Sequence, residues 1–235
     1  MTWLLTISQI FYAKSGWIPY ISSHVSLSQK PRAEQPPNNV RLLLAKDLKL
    51  LCQKDEQLLR QSLQDFSNQT HDFRLAFIPD DATLAWHHAR EDFLSTELLG
   101  KVPDIKGALV VSESGQSTWC IWSRFFSKSY KDNVLYILRI VVDGEAYSSE
   151  TVDPKRIQQV ADCLSAAQEQ AGIWGMTSVD LWNPSPTILA GCQRLNPDLR
   201  IIHRDQESIA CLNWYGKQPG LDKVEWVANE KFAWC

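Results

Sequence analysis

An α+β fold, with a mixed central β-sheet flanked by helices, is what the sequence predicts, and three stretches predict it. Val134–Val142 is apolar at every position but Arg139 and rich in β-branched residues, the pattern of a strand buried on both faces. Asp153-Pro154 pairs an N-cap residue with proline at the first helical position, and Ile157, Val160, Leu164, Ala167 and Ala171 then recur three and four apart. Ser178–Trp182, beyond Gly172 and Gly175, reads as the next strand. Strand, helix and strand make a βαβ unit with a right-handed crossover and parallel strands.

The remaining elements follow in chain order. Ser8–Trp17 predicts a short helix ending at Gly16, with a strand after Trp17-Ile18-Pro19-Tyr20. Residues 28–39 carry three prolines and almost no apolar side chain, which predicts a stiff linker. Val40–Leu43 reads as a short strand. Asp47 and Asp55 sit where caps would, predicting two short helices, Leu48–Cys52 and Glu56–Phe66. Phe73–Ile78 is a strand stopped by Pro79, and Asp80-Asp81 opens a helix closed by Gly100. Gly107–Ser112 and Ser117–Arg124 form an antiparallel hairpin around Ser114-Gly115. After the βαβ unit come a helix over Pro186–Leu195, a hairpin of Leu199–His203 with Ser208–Tyr215, and an apolar tail, Lys223–Cys235.

Composition narrows the function classes. A net charge of −3 gives no basic footprint for nucleic acid or an anionic membrane surface. No apolar run reaches the length of a membrane span, and Met1–Leu5 lacks the basic start of a signal peptide. Six cysteines without a CxxC pair, several inside apolar segments, read as reduced, buried thiols of a cytoplasmic protein.

Few residues stand out for chemistry. His24 could bind a substrate carboxylate or accept a proton, because imidazole titrates near neutrality; a plain loop histidine is the competing reading. Asp180, Trp182, Asn183-Pro184-Ser185 and Arg204 could line a polar, substrate-binding pocket, or simply cap strands and turns. His87 and His88 are adjacent, so they point to different faces of a helix and do not make a metal pair; no metal site is expected. No serine or cysteine nucleophile has a recognisable elbow or partner spacing.

Phe11-Tyr12-Ala13-Lys14-Ser15-Gly16-Trp17 looks like the late helix-to-strand signature of the GNAT superfamily of acyl-CoA-dependent N-acetyltransferases, aromatic-x-x-x-Gly-aromatic. More specifically, the chain resembles the fungal lysine N-acetyltransferase family of lysine catabolism. The resemblance runs through Phe11–His24, Trp86–Glu91, Asp180–Pro186, His203-Arg204, Asn213–Gly216 and the ending Asn229-Glu230-Lys231-Phe232-Ala233-Trp234-Cys235. It implies a GNAT-like fold. It implies acetyl transfer from acetyl-CoA, as co-substrate, to an amine such as lysine or part of a fungal secondary metabolite. By the same resemblance, Tyr12 protonates the departing thiolate, unless it only packs a short helix on the sheet. The Cys235 carboxylate would act as general base for the amine, or the tail would do no more than pack.

One departure from that family weighs against activity in this chain. Its members carry a Q/R-x-x-G-x-G/A loop after a long strand, presenting backbone N–H groups to the pyrophosphate of coenzyme A. Here nothing before Ile7–Tyr12 supplies it. After Val142 the sequence runs Asp143-Gly144-Glu145-Ala146-Tyr147-Ser148-Ser149-Glu150, and acidic groups there would repel a pyrophosphate. The resemblance therefore implies residues 1–27 as the terminal remnant of a catalytic domain, 28–39 as linker, and 40–235 as a GNAT-like domain without a phosphate loop. The chain alone is expected to be inactive; a non-catalytic binding or complementing module is the competing function.

Overall fold

The computed structural model of the protein describes residues 2–6, 13–31, 39–69, 73–145, 152–204, 208–214 and 224–234. Its first strands are β1 (Thr2–Thr6), β2 (Ile18–Pro19), β3 (Ser23–Ser28), β4 (Val40–Leu44), β5 (Phe73–Leu75) and β6 (Ile105–Val111). Then come β7 (Ser117–Phe125), β8 (Val134–Val142), β9 (Ser178–Trp182), β10 (Ile202–His203), β11 (Ile209–Asn213) and β12 (Val224–Trp226). The α-helices are α1 (Ala45–Gln69), α2 (Asp81–Leu99), α3 (Pro154–Ile173) and α4 (Pro186–Leu195), and a 3-10 turn spans Lys231–Ala233.

Seven strands form the central sheet in the order β10-β3-β9-β8-β7-β6-β4. As its apolar run predicts, β8 is paired on both edges, antiparallel to β7 and parallel to β9. Alternation sends one set of side chains, among them Cys120, Trp122, Leu135, Ile137, Val179 and Leu181, onto Val160, Cys163, Leu164 and Ala167 of α3. The opposite set, Leu109, Trp119, Ile121 and Leu138, meets Leu48 and Cys52 of α1, Leu84 of α2 and Phe232 of the tail. β3 lies between β9 and β10, so it shares the sheet with β8 although the proline-rich stretch separates it from the later strands in sequence.

The signals at the start and end of α2 and at the start of α3 act as the sequence predicts. The Asp80 carboxylate accepts the Thr83 N–H at 2.8 Å, and Gly100, at φ 65°, closes α2 with its N–H on the Thr96 carbonyl. Asp153 and Ser185 cap α3 and α4, each followed by its proline. α4 lies so close to α3 that a Cβ on Gly191 would overlap the buried Val160 side chain. Gly191→Ala is expected to cost about 1–3 kcal/mol in urea unfolding, because two packed helices must separate to admit one methyl group.

Three expectations are corrected. The two short helices are one, α1, because Asp55 is no cap: its buried carboxylate binds Arg139 across 84 residues. The 199–215 hairpin does not form, since β10 extends the central sheet from β3 while β11 pairs with β1 and β2 in a separate sheet. Thr2–Thr6 is a strand, and the strand at Phe73 stops at Leu75, parallel to β12. Half of the predicted Ser8–Trp17 helix, residues 8–12, lies outside the described residues. The five described cysteines, Cys52, Cys120, Cys163, Cys192 and Cys211, are free and buried. Among the described residues no helix is long and apolar enough to cross a membrane.

Candidate functional site

β8 and β9 part company halfway along. Their pairing runs from Val134 opposite Ser178 to Ile137 opposite Leu181, whereas β8 continues to Val142. At the same point β8 bulges: Ile121 faces Arg139 and Trp122 faces Ile137, leaving Leu138 as the extra residue. A bulge re-aims the side chains beyond it. Leu138 enters the α1–α2 core, and Arg139, next in sequence, meets Asp55 of α1 on that same side.

The C-terminal segment fills the opening. Glu230 Oε2 accepts the Ile140 N–H at 2.9 Å, and its other oxygen takes Arg139 Nη1. Arg139 donates from Nε and Nη2 to the two oxygens of Asp55, at 2.8 and 2.7 Å. All three side chains are buried. Burial raises the Glu230 pKa, with Arg139 and the Ile140 N–H opposing. Asn183, held at φ 47° just after β9, ties the tail to the sheet: its Oδ1 accepts the Ser23 N–H at 2.7 Å and its Nδ2 donates to the Asn229 carbonyl. Beside this plug lies a cavity of about 450 Å³, lined by Val141, Val142, Glu145, Ile188, Trp226 and Ala228 among others.

Some backbone donors beside that cavity are engaged. Asp143 and Glu145 donate to the carbonyls of Ser117 and Val142, and the Lys155 N–H at the start of α3 is capped by Asp153. Glu145 accepts a bond from Thr187 Oγ1, and burial raises its pKa, with that bond and Arg156 opposing. A diphosphate here would meet the carboxylates of Glu145 and Glu230, and the Ile140 and Glu145 N–H groups are already occupied, so the described residues do not fit the pyrophosphate of coenzyme A. Among the described residues, no group of three or more His, Cys, Asp or Glu side chains could hold a metal ion.

The four candidates for substrate binding singled out in the sequence fall together at the β10-β3-β9 end of the sheet. His24 faces Trp182 on one side and Ile202 on the other. Asp180, opposite Ser26 and Tyr136, accepts the Ser26 hydroxyl at 2.7 Å. The Arg204 guanidinium lies 3.7 Å over the Trp182 ring. Burial lowers the His24 pKa, with Asp180 opposing and Arg204 adding to the shift. Tyr136 and Lys231 join them: Lys231 Nζ stands 4.8 Å from the Trp182 ring centre and 5.4 Å from that of Tyr136. Tyr136 was hidden in an apolar strand, and Lys231 in a tail read for its aromatic residues. The catalytic candidates Tyr12 and Cys235 lie outside the described residues.

The adjacent histidines separate as expected. His87 Nε2 lies 2.9 Å from the Phe232 carbonyl and His88 Nε2 lies 3.0 Å from that of Trp122. Burial pushes His87 down to about 4 from 6.5, the Phe232 carbonyl opposing and Lys231 assisting. Between those values the unfolded chain holds a proton that the fold rejects, so stability falls as the pH drops from 6.5 toward 4. We expect His87→Gln, which keeps a donor for Phe232, to remove about 2 kcal/mol of the stability difference between neutral and mildly acidic solution. Urea unfolding of both proteins at the two pH values checks this.

Residues 24–235 match the family model of the LYC1 GNAT-like C-terminal domain. No curated protein matches the chain significantly. The chain is similar to the crystal structure of a GCN5-related N-acetyltransferase from Anabaena variabilis, at TM-score 0.42 and 13% identity over 89% of this chain and 44% of that one. It is also similar to a conserved protein of unknown function from Enterococcus faecalis, a probable N-acyltransferase, at TM-score 0.39 and 12% identity with the same coverage. The chain thus spans less than half the length of either solved relative.

Proposed function

The chain belongs to the LYC1 GNAT-like C-terminal domain family, and from that premise we propose that it supplies the cofactor-free domain of an acetyl-CoA-dependent N-acetyltransferase. The acceptor is an amine such as lysine or a small-metabolite amine, and the setting is cytoplasmic. In this reading residues 40–235, with β3 built into their central sheet, form a GNAT-like domain that complements a catalytic one.

The observation that carries the reading is the Glu230 carboxylate on the Ile140 N–H, in the opening between β8 and β9. Acyl transfer needs backbone donors aimed at the oxygen where negative charge develops. At this opening the strand donor already serves a carboxylate of the chain itself, and that carboxylate is anchored by Arg139. A second negative group would be repelled there.

The test is a turnover assay. Purified chain, acetyl-CoA and a panel of amines including lysine should release no thiol above the uncatalysed background. Repeated turnover with any of those amines would show that this domain carries catalysis itself.

A further inference from the structure

The cavity of about 450 Å³ beside the tail has the size of a small-molecule site. Its apolar wall is gathered from several elements: Ile140 and Val142 from β8, Leu58 from α1, Ile188 from α4 and Trp226 from β12. Ile21, between β2 and β3, lines it too, yet is 86% exposed. A large apolar side chain left in water at the rim of such a cavity gains from a ligand that covers it.

Among the described residues the charged side chains in the lining are Arg139, Glu145, Glu225 and Glu230. Each is engaged within the protein. Arg139 and Glu230 hold each other, Arg139 also holds Asp55, and Glu230 holds the Ile140 N–H. Glu225 pairs with Arg74 at 2.7 Å. Glu145 accepts Thr187 Oγ1, and Arg156 offsets its charge. An ion entering here would lose its water and find its natural partners taken, whereas an uncharged molecule has no such cost.

Two donors in the lining are not engaged. Tyr20 and Trp226 stand edge to face with ring centres 5.3 Å apart. Tyr20 Oη and Trp226 Nε1 are both buried and make no hydrogen bond. A buried donor without an acceptor is costly, and a carbonyl oxygen brought to this wall would satisfy it.

We propose that this cavity binds an uncharged carbonyl compound with an aromatic or extended apolar body, its oxygen accepting from the Tyr20 hydroxyl. Such binding is independent of whether the chain takes part in acetyl transfer.

Equilibrium dialysis of the full chain against benzophenone, diphenylmethane, benzoylbenzoate and benzhydrylamine tests it. Benzophenone should bind with a Kd of about 0.1 mM or tighter. Diphenylmethane keeps both rings but lacks the oxygen and should bind about fivefold more weakly; the anion and the cation should bind about tenfold more weakly. Tyr20→Phe keeps the ring on Trp226 and removes a hydroxyl that has no partner, so the fold should stand while the preference for benzophenone over diphenylmethane disappears. Ile21→Asp, at an exposed position, should weaken both compounds. Irradiation of bound benzophenone should label peptides carrying Ile21, Leu58 or Ile188. Absence of saturation by about 0.5 mM, equal or tighter binding of either charged compound, a preference that survives Tyr20→Phe, binding untouched by Ile21→Asp, or labelling confined to other peptides would overturn the proposal.

Discussion

Arg139→Ala should lower the unfolding free energy by about 3–5 kcal/mol, because it strands two buried carboxylates, Asp55 and Glu230, without their shared cation. In a chain of this length that is a fall of roughly 10 °C in melting temperature. The loss arises from breaking the trio rather than from large net attraction within it. Asp55→Leu, Arg139→Met and Glu230→Gln made together should therefore regain most of the stability, since glutamine still offers an oxygen to the Ile140 N–H. Urea unfolding of the single and triple variants separates the two cases. A cost below about 1 kcal/mol for Arg139→Ala would mean that the tail is not anchored through this residue.

Trp234→Ala is the second large effect, about 3–5 kcal/mol. The side chain is only 2% exposed, and its ring contacts Phe77 at 5.5 Å and Trp226 at 5.6 Å between centroids. Its Nε1 donates to Asn229 Oδ1 at 3.0 Å, next to the residue that plugs the strand opening. Trp234→Phe should keep most of the packing and lose that bond, for about 1–2 kcal/mol. A stability ranking in which alanine and phenylalanine cost the same would show the indole's bulk to be idle.

The fold was legible where local signals and burial agree. Val134–Val142 reads as an interior strand because both its faces are covered, and Asp80, Asp153 and Ser185 mark helix starts by bonds reaching two or three residues. It was illegible where partners lie far apart. Asp55 looks like a cap in sequence, and only the approach of Arg139 shows why α1 runs through it. Ser208–Tyr215 looks like a hairpin partner for the strand before it, but β11 is claimed by strands some 200 residues earlier.

At the site, His24, Asp180, Trp182 and Arg204 could be gathered because the sequence runs that carry them lie on or next to the adjoining strands β3, β9 and β10. Glu230 could not: its role depends on a bulge at Leu138 and on the parting of two strands, neither of which leaves a mark in the residues. Of the acidic stretch after Val142, Asp143 and Glu145 are described, and Glu145 lines the cavity at the strand opening.

The most direct measurement is a calorimetric titration of the purified chain with acetyl-CoA. With Glu230 on the Ile140 N–H and Glu145 beside the opening, we expect no saturable binding tighter than about 1 mM, near −4 kcal/mol. Saturable binding with a micromolar Kd would contradict it, and would show that the tail leaves the opening between β8 and β9 or that other residues take up the cofactor.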